Sequence, residues 1–358
     1  MTGRRMTAWK GGRRKTKGRK TSGSRAAASA VGLERAIAAA ARELRSTGKA
    51  LVTCHVSPDG DAIGSGLALA LALRARSAEV VFYSEDPVPY NYAFLPGAST
   101  VVRKVPAGAR FDHTFILDLS DASRLGRGFP REGLGTVVNV DHHATGPGIG
   151  GLQVRDEHAA ATGELVCRLF KAARVPISPE IATNLYCAIL TDTGSFRYSN
   201  STPGAFAAAG RMVACGAEPW RIASEVYESE PAARYHLLGR ALSTLHVSCG
   251  GRFASLYVTS EMYRATGASK EMTDQFVNFA RALKGVEVAA FLRELPDGRF
   301  KASLRSRGGI DVSAVGVRFG GGGHRNAAGA ELPGPLDHAR ATIERVVAEV
   351  LGCTASSV

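Results

Sequence analysis

The sequence has no long hydrophobic run. Its longest uninterrupted apolar stretch is Leu67–Leu73, whereas a bilayer-spanning helix needs ~20 residues. No membrane association is expected. The N-terminus is basic, but no apolar segment of the required length follows it, so no secretory signal is read. Cysteines are few and scattered. Cys54, Cys167, Cys187, Cys215, Cys249 and Cys353 form no CxxC pair. That spacing argues against a zinc ribbon and a disulfide scaffold, and predicts reduced, buried thiols in a cytoplasmic protein. No internal repeat is present. Acids are missing from residues 1–25, which hold ten of the 45 Lys and Arg residues; the remaining 35 face 32 acids. The net charge of +13 therefore belongs mostly to one end, and the rest of the chain is near neutral.

What is present is an ordinary globular mix, 45% hydrophobic and 22% charged, which excludes wholesale disorder, collagen and coiled coil. A length of 358 residues implies about two domains. Residues 1–30 are too polar and simple to bury a core and are expected to be disordered. They read as an arm for RNA or another polyanion, or as a solvated tail. Residues 31–47 have helical composition. Apolar runs at 51–55, 79–84, 113–120 and 136–143 alternate with helical segments, which predicts an α/β fold: a parallel sheet with helices on both faces. The segment 63–76 has a leucine spacing of two, yet its Ala and Leu content favours a buried helix. Helical segments continue through 160–173, 179–192, 203–216 and 218–228. A connector helix is expected at 231–245. The pattern then restarts with strands near 253–258, 287–294 and 299–305, a helix near 270–284 and a closing helix near 335–351. The expected units are a first domain at 31–230, a linker helix at 231–246 and a smaller α/β domain at 247–358.

In a parallel sheet, ligands bind beyond the carboxyl ends of the strands. Four clusters of chemistry-bearing residues fall near such ends or at the end of a helix. His55, Asp59 and Asp61 surround a Pro58–Gly60 turn, although SPDGD is also a good plain turn. Asp118 ends a strongly apolar strand, where an acid is costly unless something compensates it. Asp141, His142 and His143 end another. Asp192 ends a helical run and precedes Thr193 and Gly194. Asp59, Asp61, Asp118 and Asp192 would repel one another if they converge, and would then protonate or bind cations. Two divalent ions would balance the four charges, and with two imidazoles added the set reads as a two-metal site for phosphoryl chemistry. A fifth cluster is the run of four glycines ending in Gly321, Gly322 and Gly323, followed by His324. Its backbone amides can cradle an anion, and Arg305 and His324 are suitable phosphate donors.

The stretches VTCHVSPDGDAIGSGLAL, ILDLSDASRLG, VVNVDHHAT, ATGELV, LYCAILTDTGSFRYSNSTP and FGGGGHRNAAG resemble the DHH phosphoesterase superfamily, in its oligoribonuclease/pAp-phosphatase branch, over roughly residues 35–352. The resemblance implies that His55 and Asp59 hold one metal, that Asp61, His142 and Asp192 hold the other, and that Asp118 bridges both. Asp141 would orient an imidazole, and His143 would face the substrate phosphate or the attacking hydroxide. A C-terminal DHH-associated domain would supply Arg305 and the Gly321–His324 loop. The implied cofactors are two divalent ions, Mn²⁺ first, with Mg²⁺ or Co²⁺ as alternatives. The implied reaction is attack of a metal-bridging hydroxide on phosphorus, in very short RNA oligomers and in 3′-phosphoadenosine 5′-phosphate (pAp). Linear or cyclic dinucleotides such as pGpG and pApA are an alternative substrate class. A single-strand DNA exonuclease, a family II pyrophosphatase and a non-catalytic RNA-binding protein fit less well. Oligomeric state stays open, a homodimer included.

Overall fold

The structure, a computed structural model, describes residues 21–144 and 146–353. The expected basic tail lies outside the described residues up to position 20. Its remainder is helical: α1 runs Thr21–Ser46 and begins earlier than the expected start at 31. There follow β1 (Lys49–Thr53), α2 (Gly60–Arg74), β2 (Glu79–Tyr83), β3 (Val101–Val102), β4 (His113–Leu117), β5 (Thr136–Asp141), β6 (Leu152–Arg155), α3 (Thr162–Ala173), α4 (Pro179–Asp192), α5 (Pro203–Ala214) and α6 (Pro219–Tyr227). The second half comprises α7 (Ala232–Leu242), β7 (His246–Ser248), β8 (Phe253–Val258), α8 (Ser260–Thr266), α9 (Val277–Arg281), β9 (Val288–Glu294), β10 (Phe300–Ser306), α10 (Ser313–Val317), β11 (Gly322–His324), β12 (Ala327–Leu332) and α11 (Leu336–Leu351).

The first six strands form one sheet in the order β3-β2-β1-β4-β5-β6, with every neighbouring pair parallel. The chain therefore reverses its winding between β1 and β4, and the crevice at that reversal is where such sheets bind ligands. His55 follows β1 and Asp118 follows β4.

Successive side chains of a strand point to opposite faces. Ala50, Val52, Phe115, Leu117, Val138 and Val140 pack into one large core with the helices. Among the described residues, the other face does not carry the expected second layer of helices. Leu51, Tyr83 and Ile116 pack against Phe111, Leu125, Phe129, Leu134 and Ile149, which lie in loops and short turns. The α/β architecture stands, but the helices cover a single face. Helix α2 is buried almost all round, so its sequence shows no helical polar stripe. That explains the strand-like leucine spacing. Gly64 lets it approach α4 closely: a Cβ there would stand 2.5 Å from the Asn184 carbonyl oxygen.

The second sheet has the order β11-β12-β10-β9-β8-β7 and is antiparallel except between β8 and β9. It has helices on both faces. Helix α11 packs with Phe253, Val288 and Leu292, while α7 and α9 pack with Ala254, Leu256 and Val258. Leu237 and Ala241 of α7 are fully buried in that core, so the connector helix packs as part of the second domain. The helix expected near 270–284 is interrupted, because Gln275 has φ +62°; only α9 and a short turn at Lys270–Thr273 form.

The expectation of reduced thiols fails for one pair. Cys249 and Cys353 are joined by a disulfide, with Cα atoms 5.7 Å apart and a sequence separation of 104. It links the turn before β8 to the residues after α11. Cys54, Cys167, Cys187 and Cys215 are free, the first three buried. No helix among the described residues is long and apolar enough to cross a membrane.

Candidate active site

Three strand ends and three helix ends converge on one place. Asp59 caps α2, its Oδ1 accepting from the amides of Asp61 (3.1 Å) and Ala62 (3.0 Å). This leaves Oδ2 directed at His55, whose Nε2 is 3.9 Å away. The other oxygen facing His55 Nε2 is Asp118 Oδ2, at 3.3 Å. Asp118 is buried and sits at φ +58°, in the left-handed region that non-glycine residues seldom adopt. Its amide still donates to Val140 O, which prolongs the β4–β5 ladder. Such strain persists only where the surroundings over-determine it, and it concentrates at functional sites.

Asp61 is 1% exposed. Its two oxygens accept from the first amides of α3, Thr162 N at 2.6 Å and Gly163 N at 2.9 Å. Helix α3 has no side-chain cap of its own, so Asp61 satisfies donors that a helix start leaves open. Thr162 Oγ1 also donates to Asp118 Oδ1, at 3.0 Å. His142 Nε2 lies 3.5 Å from Asp118 Oδ1, 3.5 Å from Asp192 Oδ2 and 3.8 Å from Asp61 Oδ2. Its Nδ1 faces Ala159 O at 3.3 Å, so with the proton there the Nε2 lone pair points at the three carboxylates. His143 Nδ1 donates to Asp141 Oδ1 at 2.6 Å. The second Asp141 oxygen is buried without a hydrogen-bond partner. His55 Nδ1 lies 2.9 Å from Val56 O and 3.0 Å from Arg124 Nη2. The nitrogen can donate to the first or accept from the second; with the proton on Nδ1 the Nε2 lone pair is free for a cation shared with Asp59 and Asp118, and with Nε2 protonated it donates to Asp118.

The electrostatics match this crowding. Burial pushes the Asp61 carboxyl well above the usual carboxylate range, reinforced by the charges of Asp118 and Asp192. Burial, with Asp59 and Asp118 adding to it, raises Asp192 to about 7 against an opposing pull from His142. Burial would also raise Asp118, but a hydrogen bond from His55 and the charges of His142 and His143 overcome it and hold the group low. For His55 and His142 burial favours the neutral ring, yet the neighbouring acids win and raise both. A site with this pattern is short of positive charge.

The donor set fits divalent ions. His55, Asp59 and Asp118 offer ligand atoms within 4.8 Å of one another, and so do Asp61, His142 and Asp192; Asp118 also groups with His142 and His143. Most of the nitrogen–oxygen gaps, at 3.5–3.9 Å, are too long for hydrogen bonds and leave room for a shared cation. Imidazole mixed with carboxylate suits Mn²⁺ or Zn²⁺ better than the all-oxygen shells of Mg²⁺.

The chain is similar to known proteins over most of its length. Residues 49–189 match the DHH family, N-terminal domain, and residues 250–349 match the DHHA1 domain. A bifunctional oligoribonuclease and PAP phosphatase of Thermus thermophilus is 38% identical over 308 residues, covering 85% of this chain and 90% of that protein. The chain belongs to the DHH family. A Bacillus subtilis protein of the same name is 23% identical, covering 78% of this chain and 87% of its own. Among solved structures, an exopolyphosphatase-related protein from Bacteroides fragilis superposes with a TM-score of 0.83 at 26% identity, covering 88% of this chain and 96% of that one.

In the DHHA1 domain, Arg305 lies on β10, half-buried, with Nη1 donating to Leu304 O. Its charge interacts with Asp274, Arg281 and Tyr198, and Asp274 is in turn within electrostatic reach of Asp59. Arg305 is therefore on the side of the second domain that faces the DHH domain. Gly321 and Gly323 press on β12. A Cβ at Gly321 would be 2.1 Å from Gly329 O, and one at Gly323 would be 2.4 Å from Ala327 O. Gly322 has open space. His324 closes β11, opposite Ala327.

Sequence reasoning missed several participants. Thr162 and Gly163 stand in the ATGELV stretch, but nothing local shows that their amides reach back to Asp61. Arg124 beside His55 is equally invisible. Asn139 was legible as a lone polar residue inside TVVNV. It is buried, donates to Ile116 O and Leu119 O and accepts from Ile149 N, which pins the turn that carries Asp118.

Proposed function

We propose that this chain is a metal-dependent phosphoesterase that hydrolyses very short RNA oligonucleotides to mononucleotides and pAp to AMP. One observation carries the reading: six donors from five separate segments form two adjacent ligand groups, His55–Asp59–Asp118 and Asp61–His142–Asp192, with Asp118 Oδ1 of the first 3.5 Å from His142 Nε2 of the second. The names of the Thermus and Bacillus relatives supply the substrate class.

In this reading His55, Asp59 and Asp118 hold one cation, and Asp61, His142 and Asp192, again with Asp118, hold a second, Mn²⁺ being the best match to the ligands. When bound, the two ions would supply an activated water and neutralise charge developing on the phosphoryl oxygens. The protein does the positioning. The α3 amides fix Asp61, Thr162 fixes Asp118, and Asp141 fixes the His143 ring with its proton on Nδ1. His143 is then placed to hold or pass a proton beside Asp118. Arg305 and the Gly321–His324 strand bind the phosphate side of the substrate, with Gly322 offering the open backbone. The basic residues before position 26 add salt-sensitive affinity for RNA and leave selectivity for short ends unaffected.

The test is purified protein with Mn²⁺, given in parallel a 5′-labelled RNA dinucleotide, a 24-mer RNA, pGpG and pAp, with Asp118→Ala as control. Fast cleavage of the dinucleotide and of pAp, slow cleavage of the 24-mer and loss of all of it in the variant are expected. Cleavage of pGpG alone, or rates independent of RNA length, would overturn the substrate assignment.

A further inference from the structure

One contact across the domain cleft has no part in the chemistry above. Gly194, two residues beyond Asp192, has φ +55°, and a Cβ there would stand 2.3 Å from Tyr198 Cζ. The Tyr198 ring thus lies against the backbone of the very segment that carries Asp192. The Tyr198 amide donates to Thr193 O at 3.0 Å, and Arg197 Nε donates to Gly194 O at 2.8 Å, so the first domain holds the ring in place. The guanidinium of Arg281, from α9 of the second domain, lies over that ring with Cζ 5.1 Å from its centroid. Arg305 carries a second positive charge close to both.

An aromatic ring and a planar guanidinium are the two surfaces on which proteins stack unpaired bases. Here they face each other beside a candidate metal ligand, one from each domain. We propose that Tyr198 and Arg281 form a nucleobase clamp: a base of the short substrate slides between them, Tyr198 beneath and Arg281 above, while Arg305 takes a phosphate. The inference rests on the hydrolase reading and adds a specificity device to it. A separation of 5.1 Å leaves no space for a base, because two stacked spacings of roughly 3.4 Å are needed. The domains must therefore part by about 2 Å to admit one. Closing on the base is then coupled to bringing Arg305 up to the cluster. Stacking would make the clamp indifferent to base identity, since every base has a π face.

The test compares an RNA dinucleotide with two versions of it, each lacking one base, in wild type, Tyr198→Ala, Tyr198→Phe and Arg281→Ala. Loss of a stacked base weakens binding by about tenfold or more. Tyr198→Ala and Arg281→Ala should raise KM for the dinucleotide by that factor with kcat little changed. Tyr198→Phe, which keeps the ring, should recover most of the loss. The version lacking the clamped base should already have the raised KM in wild type and respond to neither variant. Equal losses of kcat on base-bearing and base-free substrates would overturn the clamp and leave the pair as a mere domain contact. A turnover-free measurement separates this from failure of the hydrolase reading. A 2-aminopurine dinucleotide added to chelator-treated wild type should be quenched on binding, and Tyr198→Ala should not quench it. Equal quenching in both would refute the clamp whatever the activity.

Discussion

The acids of the site are held in unlike states although they stand within a few ångströms of one another. Asp118 keeps its charge because three imidazoles surround it, while Asp192, at the end of α4, holds its proton up to about pH 7. The sign of the pH dependence follows. An unfolded Asp192 loses its proton near its ordinary value of 3.8, far below the folded value. Its contribution to stability is present below that ordinary value and is lost as pH rises through 7. Asp61, His55 and His142 are raised as well and act in the same direction. Between pH 5 and 8 the metal-free protein should lose stability from this cluster, and Mn²⁺ should restore more of it the higher the pH. Thermal melts with and without Mn²⁺ check this; a metal-induced shift that shrinks with rising pH would contradict it. Asp141 makes a separate case, since it touches His143 and belongs to neither ligand group. Asp141→Asn should lower kcat by roughly 10–100-fold while Mn²⁺ stoichiometry is kept, which steady-state kinetics and metal analysis together would show.

At the scale of elements, the candidate ligands were legible because acids and histidines are costly at the ends of buried strands. His55, Asp118 and Asp141–His143 announce themselves against LVTC, TFIL and TVVNV. The partners that hold them were not legible. The donors to Asp61 are backbone amides of a helix a hundred residues away, and the edge strands β3 and β6 are too short to show an alternation. The second face of the sheet was misread for a related reason. Loops bury Phe111, Phe129 and Leu134 singly, without any periodicity to mark them. Close packing of α2 on α4 sets the distance between Asp61 and Asp192, and Gly64 makes it feasible. Gly64→Ala should destabilise the fold by about 1–3 kcal/mol, because the methyl group would meet the Asn184 carbonyl rather than a movable side chain. Denaturant unfolding measures it; a neutral result would mean that the helices separate without cost.

At the scale of the whole molecule, two domains built on sheets of different construction meet where Arg281 lies over Tyr198. The first sets the acid–histidine cluster at its winding reversal, and the second domain carries Arg281 on α9 and Arg305 on β10, both within reach of Tyr198 of the first domain. The second domain is also cross-linked, which no local pattern foretold: Cys249 and Cys353 are brought together only by the packing of α11 on the sheet. Cys353→Ser should cost about 2–4 kcal/mol under non-reducing conditions, and wild type in dithiothreitol should match it. If wild type and variant unfold alike without reductant, the cross-link does not form in solution.

Metal stoichiometry bears most directly on the claim that Asp118 joins two cation sites. Mn²⁺ is titrated calorimetrically into chelator-treated wild type, Asp61→Ala and Asp118→Ala, with bound metal counted after dialysis. The account predicts two ions per chain in wild type, one in Asp61→Ala and impaired binding at both sites in Asp118→Ala. A single ion in wild type, or two retained by Asp118→Ala, would contradict it.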